Sequence, residues 1–262
     1  MNRTNLFYKK LYYAIRKVES EYYSLLYNET GETVHDLRVA IRRLHPFLYI
    51  YLECSNDLKI RAQIEHTRKD FKIYFKSLDT LRDRQVNKIK LVELCPTNLK
   101  ILDILENEIS EIRTSVLKDA VQWNIGSYID NIIINLLESS TETLDIKKHV
   151  RSMLKTHRSD IRELYQNKIN SPADLHLLRI AIKKLRYVLE TAEQLDVHFG
   201  TKSIDLKQFQ EQLGIYQDLT VLKSHLETID QALPFLTELS QLHLDLGTHL
   251  LKEVQLWQPY FL

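Results

Sequence analysis

Glycine and proline are scarce in this 262-residue chain, with five of each. Little is left to break a helix, and the abundant Leu, Ile, Lys, Glu, Gln and Arg are good helix formers, so the fold class read from composition is all-α. Cysteine is nearly missing too. Cys54 and Cys95 lie far apart, each at the end of a helical pattern and neither in a C-x-x-C unit. That excludes a disulfide framework or zinc site and points to reduced thiols of a cytosolic protein. No run approaches the ~20 apolar residues that span a bilayer, and the opening MNRTNLFYKKLYY lacks the apolar stretch of a signal peptide, so a soluble, intracellular protein with no membrane partner is expected. Net charge is absent as well, with 36 Lys plus Arg against 35 Asp plus Glu. Any anion site must therefore arise from local clustering.

What is present is helical periodicity almost throughout. Apolar residues recur at three-and-four spacing, and turn or capping residues interrupt them. The segments fall at 4–28, 32–53, 57–93 and 97–119, then a connector at 126–138, then 143–168, 172–196, 203–230 and 234–255. The breaks are Asn28 to Gly31, Ser55-Asn56, Pro96-Thr97, Asn170-Ser171-Pro172, Gly200-Thr201 and Pro234. At 170–172 a candidate N-cap Ser directly precedes a Pro at the first helical position, a strong start signal. Four long helices on each side of a connector, joined by short loops, predict two four-helix bundles of antiparallel neighbours.

An internal repeat supports that division. His35-Asp-Leu-Arg-Val-Ala-Ile-Arg-Arg-Leu44 lies over His176-Leu-Leu-Arg-Ile-Ala-Ile-Lys-Lys-Leu185. A weaker echo follows one helix later, where Phe71-Lys72 through Leu78 and Asp83 lie over Leu206-Lys207 through Leu213 and Asp218. Its offset differs slightly, as an altered connecting loop would produce. The expected organisation is a first repeat at 1–125, a connector at 126–140 and a second repeat at 141–262.

The repeated helix carries charge on one face. At about 100° per residue, His35, Arg38, Arg42, His45 and Tyr49 share an arc of roughly 80°, while Leu37, Ile41, Leu44 and Leu48 form a separate core-facing stripe. His176, Arg179, Lys183 and Arg186 repeat the arrangement against Leu178, Ile182, Leu185 and Leu189. A solvated face would ordinarily mix signs to gain pairs four residues apart, yet these stripes carry no acid until Glu190. Such repulsion, repeated twice, makes sense if an anion relieves it. Similar stripes are Arg151, Lys155, Arg158 and Arg162, and Arg61, Arg68, Lys72 and Lys76. The first helix offers only Lys10 and Lys17, and Lys207 stands almost alone opposite the third-helix stripe.

The duplicated H-x-L-R-[VI]-A-I-[RK]-[RK]-L pattern resembles the CHAD domain, the conserved histidine α-helical domain. Leu175-His-Leu-Leu-Arg-Ile-Ala-Ile-Lys-Lys-Leu-Arg-Tyr187 is especially similar to the family's L-H-x-L-R-[IK]-x-x-K-x-L-R-Y, and Leu206 to Gly214 resembles a later family motif. The resemblance covers essentially the whole chain. It implies two four-helix bundles related by a pseudo-two-fold axis, with a basic central cavity or groove that binds inorganic polyphosphate without catalysis. Lys10, Lys17, His35, Arg38, Arg42, His45, Lys72, Lys76, Arg151, Lys155, Arg158, His176, Arg179, Lys183, Arg186 and Lys207 are the candidate contacts. Polyphosphate granules or polyphosphate-metabolising enzymes are the associations it implies, and no cofactor or metal is expected. The first copy departs from the pattern, with His45-Pro46 where the second has Arg186-Tyr187. Pro46 removes a helical N–H and should distort the helix there.

Other constellations are weaker. His35-Asp36 suggests a metal-dependent HD hydrolase, but the repeat has Leu177 where Asp36 stands and further ligands are not apparent. His149 and His157 have basic neighbours that would repel a cation. A helical scaffold for a protein or nucleic acid remains the alternative, although a near-neutral pI argues against broad nucleic-acid coating.

Overall fold

The computed structural model describes residues 3–94, 99–123, 125–139, 145–229 and 232–258. Among these the fold is all-α, with no strand. The helices are α1 (Arg3–Tyr27), α2 (Gly31–Cys54), α3 (Leu58–Leu94), α4 (Leu99–Gln122), α5 (Ile125–Ser139), α6 (Ile146–Gln166), α7 (Pro172–Gln194), α8 (Lys207–Leu226) and α9 (Leu233–Trp257). The expected segments are recovered nearly in register. The break at Pro96-Thr97, and Cys95 with it, lies outside the described residues. The segment expected to begin at 203 opens instead as a 3-10 turn, Ser203–Leu206, in which Asp205 accepts from the Lys202 N–H at 2.8 Å. No described helix is long and apolar enough to cross a membrane.

Scarce glycine shows in how two helices end. After α6 and α7 the chain takes left-handed backbone at Lys168 (φ 58°) and Asp196 (φ 53°), a conformation glycine ordinarily supplies. Each costs on the order of 1 kcal/mol. After α7 that cost is offset by the Val197 N–H, which closes on the Ala192 carbonyl at 2.9 Å.

Two compact units result, and neither is a continuous stretch of chain. The first comprises Met1–Arg82, Ile112–Met153 and Tyr187–Gly200; the second comprises Asp83–Glu111, Leu154–Arg186 and Thr201–Leu262. In the first unit Phe7 of α1 lies 6.1 Å from Phe47 and 6.5 Å from Tyr51 of α2, ring centre to ring centre, and all three are buried. Tyr22 Oη donates to the Ala120 carbonyl at 2.9 Å, which satisfies its polar tip. In the second unit Leu91, Ile101 and Leu105 pack with Leu219, Leu222, Leu226 and Leu239. Phe209 stacks on Trp257 at 4.7 Å, and Tyr165 Oη donates to the Val254 carbonyl at 3.0 Å.

Candidate anion-binding site

In the first unit, α2 begins with a reciprocal cap: the Thr33 N–H donates to Thr30 Oγ1 at 3.2 Å and the Thr30 N–H donates to Thr33 Oγ1 at 2.9 Å. That start fixes the helix register. Leu37, Ile41, Leu44 and Leu48 are buried, so the His35, Arg38, Arg42, His45 stripe is directed off the core, as the periodicity predicts. Pro46 does not end the helix, which runs on to Cys54.

Neighbouring side chains hold the arginines. Arg38 donates to the Leu78 carbonyl at 3.2 Å and pairs with Asp79 at 2.5 Å, while its guanidinium lies 4.7 Å from the centre of the Phe75 ring. Arg42 lies 4.8 Å from the same ring and donates to Tyr187 Oη at 3.3 Å. Arg68 of α3 lies over Tyr49 at 5.3 Å. Arg43, on the flank of the stripe, pairs with Glu190 at 3.2 Å. Among the described residues no carboxylate pairs with Arg42, Arg68 or Lys72, and the buried Nε of Arg68 has no hydrogen-bond acceptor.

The histidines register this local field. His45 is pushed down to about 4, first by burial and then by Arg68, Arg42 and Lys72. It is neutral at neutral pH. His35, although its side chain reaches solvent, is also lowered, by partial desolvation and then Arg82, against a smaller opposing effect from Asp36. Neither histidine adds a resting charge to the stripe.

The remaining first-unit candidates lie elsewhere. Lys10 and Lys17 do not join Arg38 and Arg42; they line a cavity of about 440 Å³ with Asp36, Arg43, Phe47 and Gln194. Lys17 also pairs with Glu21. Lys76 and Arg151 are exposed, as is Lys72 of the patch itself. Arg61, in the same stripe as Arg68, turns back to donate to the Leu52 carbonyl at 2.5 Å and so covers the end of α2.

In the second unit, α7 starts at Pro172 behind a cap in which the Asp174 N–H donates to Ser171 Oγ at 3.2 Å and the Ser171 N–H donates to Asp174 Oδ2 at 2.9 Å. Bonds from the Ser171 hydroxyl and the Asn170 and Ser171 N–H groups hold the Asp174 carboxyl below its ordinary value. Leu178, Ile182, Leu185 and Leu189 are buried. Amides hold the two ends of this stripe, and a hydroxyl holds Arg158 of α6. His176 shares a 2.5 Å hydrogen bond with Gln217, Arg186 donates to Gln210 at 2.6 Å, and Arg158 donates to Thr201 at 3.0 Å. Arg179 and Lys183 lie between His176 and Arg186 on the helix, and Lys155 is exposed on α6. Lys207 is 3.7 Å from Glu211, so its charge is partly compensated.

Sequence reasoning missed the supports: Phe75, Tyr187, Gln210 and Gln217. Phe75 had a signal, since 100° per residue places it in the same arc of α3 as Arg68 and Lys72, an apolar residue inside a polar stripe. Elsewhere, Cys54 is a free thiol pushed up to about 12 by burial, Asp145 and Glu53, which makes it a poor nucleophile. Among the described residues no group of three or more His, Cys, Asp or Glu side chains gathers as metal ligands would.

A long-helix protein whose repeated His-x-x-Arg helix is mounted on polar and aromatic supports is one structural class. The CHAD domain family profile matches residues 12–227, and the chain belongs to that family. The crystal structure of the CHAD domain from the plant Ricinus communis is similar with a TM-score of 0.71, covering 95% of this chain and 88% of that one at 18% identity. At that identity the likeness is one of fold. A comparison with curated proteins gave no match.

Proposed function

We propose that this CHAD protein binds inorganic polyphosphate without transforming it, through the Arg38, Arg42, Arg68, Lys72 patch of the first unit and the His176, Arg179, Lys183, Arg186 stripe of the second. The supporting observation is the cluster formed by Arg42, Arg68 and Lys72. Burial first, and then these three cations, push His45 down to about 4, and no described carboxylate pairs with any of the three. A protein gains nothing in stability from such repulsion, and an anionic chain removes it. Guanidiniums give forked hydrogen bonds to phosphate oxygens, and lysines supply mobile point charges. A polymer of repeating phosphates requires spaced positive charge and no base readout. Under this reading the protein works in the cytoplasm, alongside polyphosphate granules or the enzymes that make and consume the polymer.

Arg42→Glu combined with Arg68→Glu tests the reading. Loss of two charge-assisted contacts, each about 1.5 kcal/mol, should raise the Kd for inorganic polyphosphate about 100-fold while helicity by circular dichroism is unchanged. The slope of log affinity against log salt should fall by about 2. Unchanged affinity and slope would place the site elsewhere, and phosphate release from polyphosphate would overturn the non-enzymatic reading.

A further inference from the structure

Phe75 is half-buried on α3, and the guanidiniums of Arg38 and Arg42 lie 4.7 and 4.8 Å from its ring centre. Two like charges one helical turn apart repel, and each sits on a long, rotatable side chain. A ring whose face is electronegative attracts both. Their other supports differ: Arg38 is held by Asp79 and the Leu78 carbonyl, and Arg42 by the Tyr187 hydroxyl. Phe75 supports both of them.

The rings matter for selectivity as well. Proteins that bind single-stranded nucleic acid stack bases on open aromatic rings beside a basic track. Here those rings already carry cations: Phe75 carries Arg38 and Arg42, Tyr187 carries Arg42 at 5.8 Å, and Tyr49 carries Arg68 at 5.3 Å. A base reaching the ring face that a guanidinium occupies would have to displace the group that binds its own phosphate. We infer that Phe75 is a positioning residue that holds Arg38 and Arg42 as a preset pair of phosphate forks, and that the covered rings suit the patch to a base-free phosphate chain rather than a single-stranded nucleic acid. This rests on the anion-binding reading above.

Phe75→Leu removes the ring face, Phe75→Tyr keeps it, and Phe75→Met, measured alongside, guards against a folding defect peculiar to leucine. The first readout needs no ligand. Side-chain proton NMR signals of Arg38 and Arg42 should be shifted upfield by the ring in the native protein and in Phe75→Tyr, and should lose that shift in Phe75→Leu and Phe75→Met. Signals that stay put overturn the positioning role. The second readout is affinity for inorganic polyphosphate and for oligothymidylate of matched charge. Removing the ring should weaken polyphosphate binding about tenfold, with Phe75→Tyr close to native. Native-like affinity in both ring-less variants also overturns the role. Oligothymidylate binding the native protein as tightly as polyphosphate overturns the selectivity. If neither polymer binds while the upfield shifts behave as expected, the geometric role of Phe75 stands and the polyphosphate reading falls.

Discussion

The same motif helix is mounted in two ways. In the first unit the arginines of α2 rest on aromatic rings, and one of them, Arg38, is tied to a carboxylate. In the second unit the ends of the α7 stripe rest on two amides of α8, Gln217 at His176 and Gln210 at Arg186. Both solutions fix long side chains, but their electrostatics differ. A ring or an amide orients a cation and leaves its charge available, whereas a carboxylate orients it and cancels much of the charge. The difference is sharpest where His45 in α2 stands in the place of Arg186 in α7: one is a neutral ring among cations, the other a permanent cation held by an amide.

The largest effect that probes this comparison is on acid stability. The folded-state pKa of His45, about 4, lies below its ordinary 6.5, so the fold favours the neutral ring. Its contribution is therefore complete above pH 6.5 and is lost as pH falls toward 4, amounting to about 3 kcal/mol at pH 4. Denaturant midpoints measured across this window should fall steeply for the native protein and more gently for His45→Gln. His225 of the second unit acts in the same direction, lowered by burial and Arg84 against Glu108, so the variant should retain some slope. Added polyphosphate should raise the His45 pKa, and an NMR titration unmoved by the polymer would separate His45 from the ligand.

A smaller effect follows from exchanging the kinds of support. Gln210→Glu gives Arg186 a carboxylate partner and should weaken polyphosphate binding about tenfold, or ~1.5 kcal/mol. Asp79→Asn does the reverse for Arg38 and should strengthen binding several-fold. Opposite signs in the two units would support the contrast between cancelling and orienting partners; identical signs would break it. The smallest effect concerns the helix starts, where α2 has a Thr30–Thr33 cap and α7 a Ser171–Asp174 cap. Thr30→Ala and Ser171→Ala should each cost about 1 kcal/mol in thermal or denaturant unfolding. Only the second cap depends on a carboxylate, so acid should remove part of its contribution once Asp174 is protonated.

Much of this architecture was legible because helical periodicity leaves little ambiguity in a chain with few breakers. The Leu37, Ile41, Leu44, Leu48 stripe predicted which way α2 faces, and the Ser171-Pro172 signal located the start of α7. The site was legible only in part. One helix's arc tells which side chains share a face, and does not tell which neighbour they meet. Lys10 and Lys17 match the stripe in spacing but line a cavity with Arg43, and Lys207, the lone cation of its face, lies 3.7 Å from Glu211 one turn later. Gln210 and Gln217 are ordinary surface residues by type, and only packing makes them supports. Arg61 and Arg68 share a stripe, yet one covers the end of a helix and the other lies over Tyr49 with its Nε unaccepted among the described residues.

The first compact unit draws its last piece, Tyr187–Gly200, from the C-terminal end of the second motif helix and the turn after it. That piece supplies the Tyr187 hydroxyl to Arg42 and the Glu190 carboxylate to Arg43. During synthesis the N-terminal residues therefore wait for residue 200 of 262 before their own unit is complete. No single cut of the chain releases either unit whole, and a nascent chain that stalls between the repeats exposes an unfinished core.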